Sequence, residues 1–150
     1  MQLINGKETA QHIRQKIKQQ VDKMVQGGAR APHLAAVLVG NDPASSTYVN
    51  GKMKACEEVG FQSTLRRYES NITEENLLQV IDELNKDDTL DGFIVQLPLP
   101  DHISEEKVTL AISPEKDVDG FHPWNLGRMM LGMPTFVPAT PYGIMQLLKH

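Results

Sequence analysis

Two short runs, HLAAVLVG at 33–40 and GFIVQL at 92–97, are apolar almost without interruption. A strand with one wet face alternates polar and apolar residues, whereas a strand without alternation is buried on both faces. That burial is typical of a parallel sheet covered by helices on either side, and helical patterns surround both runs. Asn5, with Glu8 three residues later, resembles a capping box, and Ala10, Ile13, Ile17, Val21 and Met24 follow at helical spacing until Gly27-Gly28. Asp42 and Pro43 supply a cap and a first-turn residue for a second helix that stops near Gly60. Phe61 to Tyr68 reads as a strand, and Thr73 to Leu84 as a helix with Leu77, Leu78, Val80, Ile81 and Leu84 as its apolar residues. Ser104 caps a helix to about Ile112, and Thr140-Pro141 open a last one with Ile144, Met145, Leu147 and Leu148 on its apolar face. Parallel neighbours need crossover connections, so the expectation is an α/β fold: a three-layer domain with a mostly parallel sheet flanked by helices.

Composition narrows the function classes. The 150 residues are 40% hydrophobic and 23% charged, enough for one domain with a real core. A net charge of −4 argues against nucleic acid or an anionic membrane as partner. The single cysteine, Cys56, excludes an internal disulfide framework and suits a reducing compartment. It reads as a small buried helix residue rather than a nucleophile. MQLINGKETA lacks the basic and apolar regions of a signal peptide, and no apolar run is long enough to span a bilayer, so the expectation is a soluble, cytoplasmic protein. The five histidines show no paired ligand spacing, and no metal is assigned. The cluster Met129-Met130-Met133 reads as packing rather than a cofactor box. The apolar stripe of the last helix breaks off at His150 without a cap, which leads to the expectation that the natural protein continues.

Open α/β sheets bind ligands outside the carboxyl ends of their strands. Three unusual stretches fall at such ends: VGNDPASSTY, VQLPLP at 95–100, and the acidic loop PEKDVDGFH at 114–122. In the first, Tyr48 and Lys52 are four residues apart and share a helix face, with Lys54 directed away. In the second, polar Gln96 interrupts an apolar strand end. It either satisfies that strand end or serves a ligand. Tyr48, Lys52, Gln96 and Asp119 are therefore candidates to converge on one cleft. Asp117 reads as a loop carboxylate bonding nearby backbone N–H groups.

YVNGKMKA, VQLPLP, PEKDVDGF and VPATPYG, in this order, resemble the bifunctional methylenetetrahydrofolate dehydrogenase/cyclohydrolase family over essentially the whole chain. Ala139 stands where a frequent version of the family pattern has cysteine. The resemblance implies Lys52 as the catalytic lysine, Tyr48 as its neighbour, Gln96 as the amide bonded to the lysine, and Asp119 as the pterin anchor. It also implies Pro98 and Leu99 as substrate contacts. It further implies oxidation of 5,10-methylenetetrahydrofolate with NADP, then hydrolysis of the methenyl cation to 10-formyltetrahydrofolate. That is one-carbon chemistry serving purine, methionine and histidine biosynthesis, in a homodimeric full-length protein. Members carry a Rossmann domain for NADP. No G-x-G-x-x-G occurs here, so residues 1–140 are expected to be the folate-binding catalytic domain and 141–150 the start of a helix toward an NADP-binding domain absent from this chain. Two alternatives stand beside this reading. One is a folate-binding module without turnover. The other is a short-chain dehydrogenase, which also uses Tyr-x-x-x-Lys but carries a glycine-rich loop where this chain has VGNDPASS.

Overall fold

The computed structural model of the chain describes residues 4–149. Three parallel strands, β1 (His33–Val39), β2 (Gln62–Tyr68) and β3 (Gly92–Val95), form a sheet in the order β2-β1-β3. β1 is central, pairing from His33↔Gln62 to Val39↔Tyr68 on one side and from Leu34↔Gly92 to Val37↔Val95 on the other. Its five residues from Ala35 to Val39 are all buried, as are all four of β3, which accounts for their unbroken apolar sequences. β2, an edge strand of half-exposed residues, reads QSTLRRY.

Helices cover both faces. α1 (Gly6–Gln26) and α2 (Pro43–Val59) lie together on one side, with Val49 buried against Ala36, Leu38 and Ile94. α3 (Glu74–Lys86) and α4 (Glu105–Ala111) lie on the other, where Leu77, Ile81, Leu84 and Val108 pack with Val37, Phe93 and Val95. The three-layer architecture and the parallel sheet agree with expectation. Three caps fall where the sequence put them, at Asn5, Asp42 and Ser104, and Thr73, read as the first residue of its helix, is a fourth. The Asn5 side chain accepts from the Glu8 N–H, Asp42 from Ser45, Thr73 from Asn76 and Ser104 from Lys107.

Two findings depart from the sequence reading. A helix α5 (Pro123–Met130), capped by the His122 side chain, was not foreseen; α6 (Ala139–Lys149) follows it. The methionine cluster on and after α5 does not pack as expected: Met130 is 84% exposed, and Met129 and Met133 are also exposed. The reason is that α5 is short and sits at the periphery, burying only Asn125.

The loop after α4 runs alongside the free edge of β3. Phe93 N–H donates to the Lys116 carbonyl at 3.0 Å, and Phe93 and Asp117 form an isolated parallel bridge. A side chain at Gly92 would collide with Val118 and with the Lys116 carbonyl, so the absence of a Cβ there lets this loop close on the sheet.

Candidate active site

The chain leaves β1 toward β2 on one side, while β3 arrives on the other. The connections part between β1 and β3, and a crevice at the carboxyl ends of the strands is expected there. Each candidate residue reaches that point on a different element. Lys52 sits in the third turn of α2, which begins at the carboxyl end of β1. Gln96 follows β3, its N–H making a further ladder bond of 2.9 Å to the Val37 carbonyl. Asp119 lies in the loop closed along β3.

The structure brings these three together. Lys52 Nζ donates to Gln96 Oε1 at 3.4 Å and stands 3.8 Å from Asp119 Oδ1. The orientation of the Gln96 amide follows from its other end: Nε2 donates to the Leu97 carbonyl at 2.7 Å, which turns the oxygen toward the lysine. The Lys52 side chain is 38% exposed and that of Asp119 22%, so the pair is partly open to solvent. Burial raises the Asp119 carboxyl above the usual aspartate range. The Lys52 ammonium works against this, and the neighbouring Asp117 adds to it.

Tyr48 lies one turn before Lys52 and is 68% exposed, its ring open to solvent. Pro98 is exposed beside Gln96. Leu99 differs from expectation. Its side chain is buried in the core with Val95 and Ile103, and its N–H donates to Glu105 Oε1 at 3.1 Å. The turn after β3 points Leu99 inward, so neither its side chain nor its N–H is available to a ligand. Cys56 is buried on α2, and burial pushes its thiol pKa up, as suits an inert packing residue.

The two loop carboxylates separate by their partners. Asp117 is 3% exposed and turns onto its own loop, accepting from the N–H groups of Gly120 at 3.1 Å and His122 at 2.8 Å. Asp119, just before Gly120, is left to face Lys52. Gly120 makes this turn with φ +71°, and a Cβ there would lie 2.8 Å from Pro138 N and 2.9 Å from the Val137 carbonyl carbon. Gly120→Ala is therefore expected to destabilise the chain by about 2–4 kcal/mol, from left-handed strain plus a collision with backbone that cannot swing aside. Thermal unfolding monitored by circular dichroism measures this, and an unchanged midpoint would mean that the turn has room the geometry denies it.

A cavity of about 690 Å³ lies apart from this cleft, between α1 and α6, lined by Ala10, Ile13, Phe136, Tyr142 and Leu147 among others. Its lining is mostly apolar and includes Val118, between the two loop carboxylates, but not Lys52, Gln96 or Asp119. Among the described residues, no cluster of three or more histidine, cysteine or carboxylate side chains is arranged to hold a metal ion.

Residues 4–119 match the family described as tetrahydrofolate dehydrogenase/cyclohydrolase, catalytic domain. The chain is 59% identical over 150 residues to the bifunctional protein FolD of Cytophaga hutchinsonii, covering all of this chain and 52% of that protein. Among solved structures it is similar to the bifunctional FolD methylenetetrahydrofolate dehydrogenase/cyclohydrolase of Campylobacter jejuni, with a TM-score of 0.95 at 45% identity, over 99% of this chain and 53% of that one. It is also similar to the corresponding Trypanosoma brucei enzyme in complex with NADP cofactor and an inhibitor, with a TM-score of 0.93 at 31% identity, over 99% and 51%. The chain thus spans about half the length of the curated relatives it matches.

Proposed function

This chain belongs to the tetrahydrofolate dehydrogenase/cyclohydrolase family, and we propose that it is the folate-binding catalytic half of an enzyme that oxidises 5,10-methylenetetrahydrofolate and hydrolyses the methenyl product to 10-formyltetrahydrofolate. The observation that carries the reading is the meeting of Lys52 with Gln96 and Asp119 at the carboxyl edge of the sheet. In this reading residues 1–140 form the folate-binding domain, and the helix from 141 onward leads toward a nucleotide-binding unit. The location is cytoplasmic, the whole protein is a homodimer, and its product supplies one-carbon units to purine, methionine and histidine biosynthesis.

The chemistry assigned to each group follows from its geometry. The pterin 2-amino group and the adjacent ring N–H form a forked donor pair, which the ionised Asp119 carboxylate matches with two parallel bonds. The exposed ring of Tyr48 offers a stacking surface for the aminobenzoyl group, and exposed Pro98 borders the same cleft. In the hydrolytic step a water oxygen adds to the methenyl carbon and loses a proton to Lys52, which accepts it as the free amine after its ammonium proton has left to solvent. The C–N5 bond then breaks as N5 takes a proton, leaving the formyl group on N10. The net change consumes one water and releases one proton. Gln96 orients the amine, or the water, without adding charge.

The residues present do not fit NADP. In a doubly wound sheet the cofactor phosphate occupies the first strand-to-helix turn, at free N–H groups of the helix N-terminus. Here that position is taken by the Asp42 carboxylate, which accepts from Ser45 N–H at 2.6 Å and is held below the usual aspartate range by that bond. No hydride-transfer step is assigned to these residues. The same turn disfavours the short-chain dehydrogenase reading, which needs a glycine-rich loop there. The chain on its own is expected to form no NADPH from NADP and methylenetetrahydrofolate, because none of the described residues forms a site that holds the nicotinamide against the one-carbon unit. NADPH formation at the rate of a full-length relative would overturn this.

The test of function is the loss of methenyltetrahydrofolate absorbance in the presence of this chain, compared with spontaneous hydrolysis. Acceleration supports the catalytic reading. Binding without acceleration would favour a folate-binding module.

A further inference from the structure

Asn125 is a polar side chain in a place where burial demands satisfied hydrogen bonds. It is 3% exposed, on the otherwise exposed helix α5. Its Nδ2 donates to the Pro114 carbonyl at 2.9 Å and to Asp117 Oδ2 at 2.9 Å, and its Oδ1 accepts from Thr135 Oγ1 at 2.6 Å. The Pro114 carbonyl and the Asp117 carboxylate only accept, so they fix which end of the amide faces them, and the Thr135 hydroxyl donates to the oxygen that this leaves toward it. Asn125 thereby ties α5 to two points of the 114–122 loop, Pro114 and Asp117, and to the stretch leading to α6.

Asp117, two residues before Asp119, in turn closes the turn behind it through the N–H groups of Gly120 and His122, both of which follow Asp119. Without the Asn125 donor, Asp117 Oδ2 keeps only the His122 N–H, and the Pro114 carbonyl loses a partner inside the protein. The turn that carries Asp119 then loses the contact that ties it to α5.

We propose that Asn125, anchored by Thr135, is a positioning residue that acts through Asp117 to hold the 117–122 turn so that Asp119 presents its carboxylate to the ligand beside Lys52. The proposal rests on Asp119 being the pterin anchor. Its role is specificity for the forked donor pair of the pterin, and Asn125 itself touches no ligand.

The test is a mutant cycle read by titration of the chain with tetrahydrofolate. Asn125→Ala and Thr135→Val are each measured alone and in an Asp119→Asn background, with Thr135→Ser as the variant that restores the hydroxyl. Each single change is expected to weaken binding about tenfold when Asp119 is present, and less than about twofold when it is replaced, since coupled residues are non-additive. Thr135→Ser should bind as the unaltered chain does. A loss of the same size in both backgrounds would mark Asn125 as a general structural residue and overturn the proposal. If Asp119→Asn alone leaves affinity unchanged, the anchor reading itself fails, which is a separate outcome. Should Asn125→Ala not fold, the Thr135 arm decides, because Val keeps the volume of Thr and removes only the donor.

Discussion

Asp119→Asn is expected to weaken tetrahydrofolate binding by roughly thirty- to a thousand-fold, a loss of about 2–4 kcal/mol. The asparagine keeps the shape of the carboxyl group but sets a donor against one of the two donors of the pterin. Asp119→Ala should be little worse. The unliganded protein should tell the opposite story. Burial raises the Asp119 pKa, so the folded state binds this proton more tightly than the unfolded chain does. Stability therefore falls as pH rises from the ordinary aspartate range through the raised value, and above it the fold carries the full cost of a half-buried carboxylate. Asp119→Asn removes that pH dependence and should melt no lower than the unaltered chain at neutral pH. Ligand affinity should fall as pH drops through the same window, because the protonated carboxyl accepts poorly from the forked donors. Calorimetric titration and thermal melting across pH measure both. A variant that loses stability and affinity together would show that Asp119 holds the fold rather than the ligand.

Lys52→Met in an intact protein carrying this site is expected to lower methenyltetrahydrofolate hydrolysis by about a hundred- to ten-thousand-fold, the usual contribution of a positioned acid or base. Methionine retains an apolar stem of similar length and a similar helix propensity, so α2 should persist. The change in stability should be about 1 kcal/mol or less, since the lysine is 38% exposed and its carboxylate partner is 3.8 Å away. Tyr48→Phe should be milder, because the stacking surface survives. Near-normal turnover in Lys52→Met would reduce Lys52 to a surface lysine.

The parts of the fold legible in sequence were those where burial imposes a local pattern. β1 and β3 read as strands because both of their faces are covered, and α2 because Asp42-Pro43 is a start signal independent of tertiary contacts. The carboxyl-end rule made Tyr48, Lys52, Gln96 and Asp119 candidates for one edge, while the distances that join the last three depend on packing. α5 left little trace. It has eight residues, about two turns, which is too short a window for a helical period to stand out, and it buries one of them. Its start was written in His122-Pro123, a weak signal alone. Asn125 was invisible because its three partners lie at 114, 117 and 135, and hydrogen bonding of that kind has no local sequence pattern. Leu99 failed for a similar reason. Which side of a proline-flanked turn faces the core is settled by the helix that packs beneath it, here through Glu105.

The central claim is that folate binds at the carboxyl edge of the sheet and not in the apolar cavity between α1 and α6. Amide chemical-shift mapping of the isotopically labelled chain during titration with tetrahydrofolate tests this most directly. The account predicts saturable shifts at Tyr48, Lys52, Gln96, Asp119 and Gly120, with residues 10, 13 and 147 unmoved. Shifts confined to those α1 and α6 positions, with Gln96 and Asp119 silent, would contradict it.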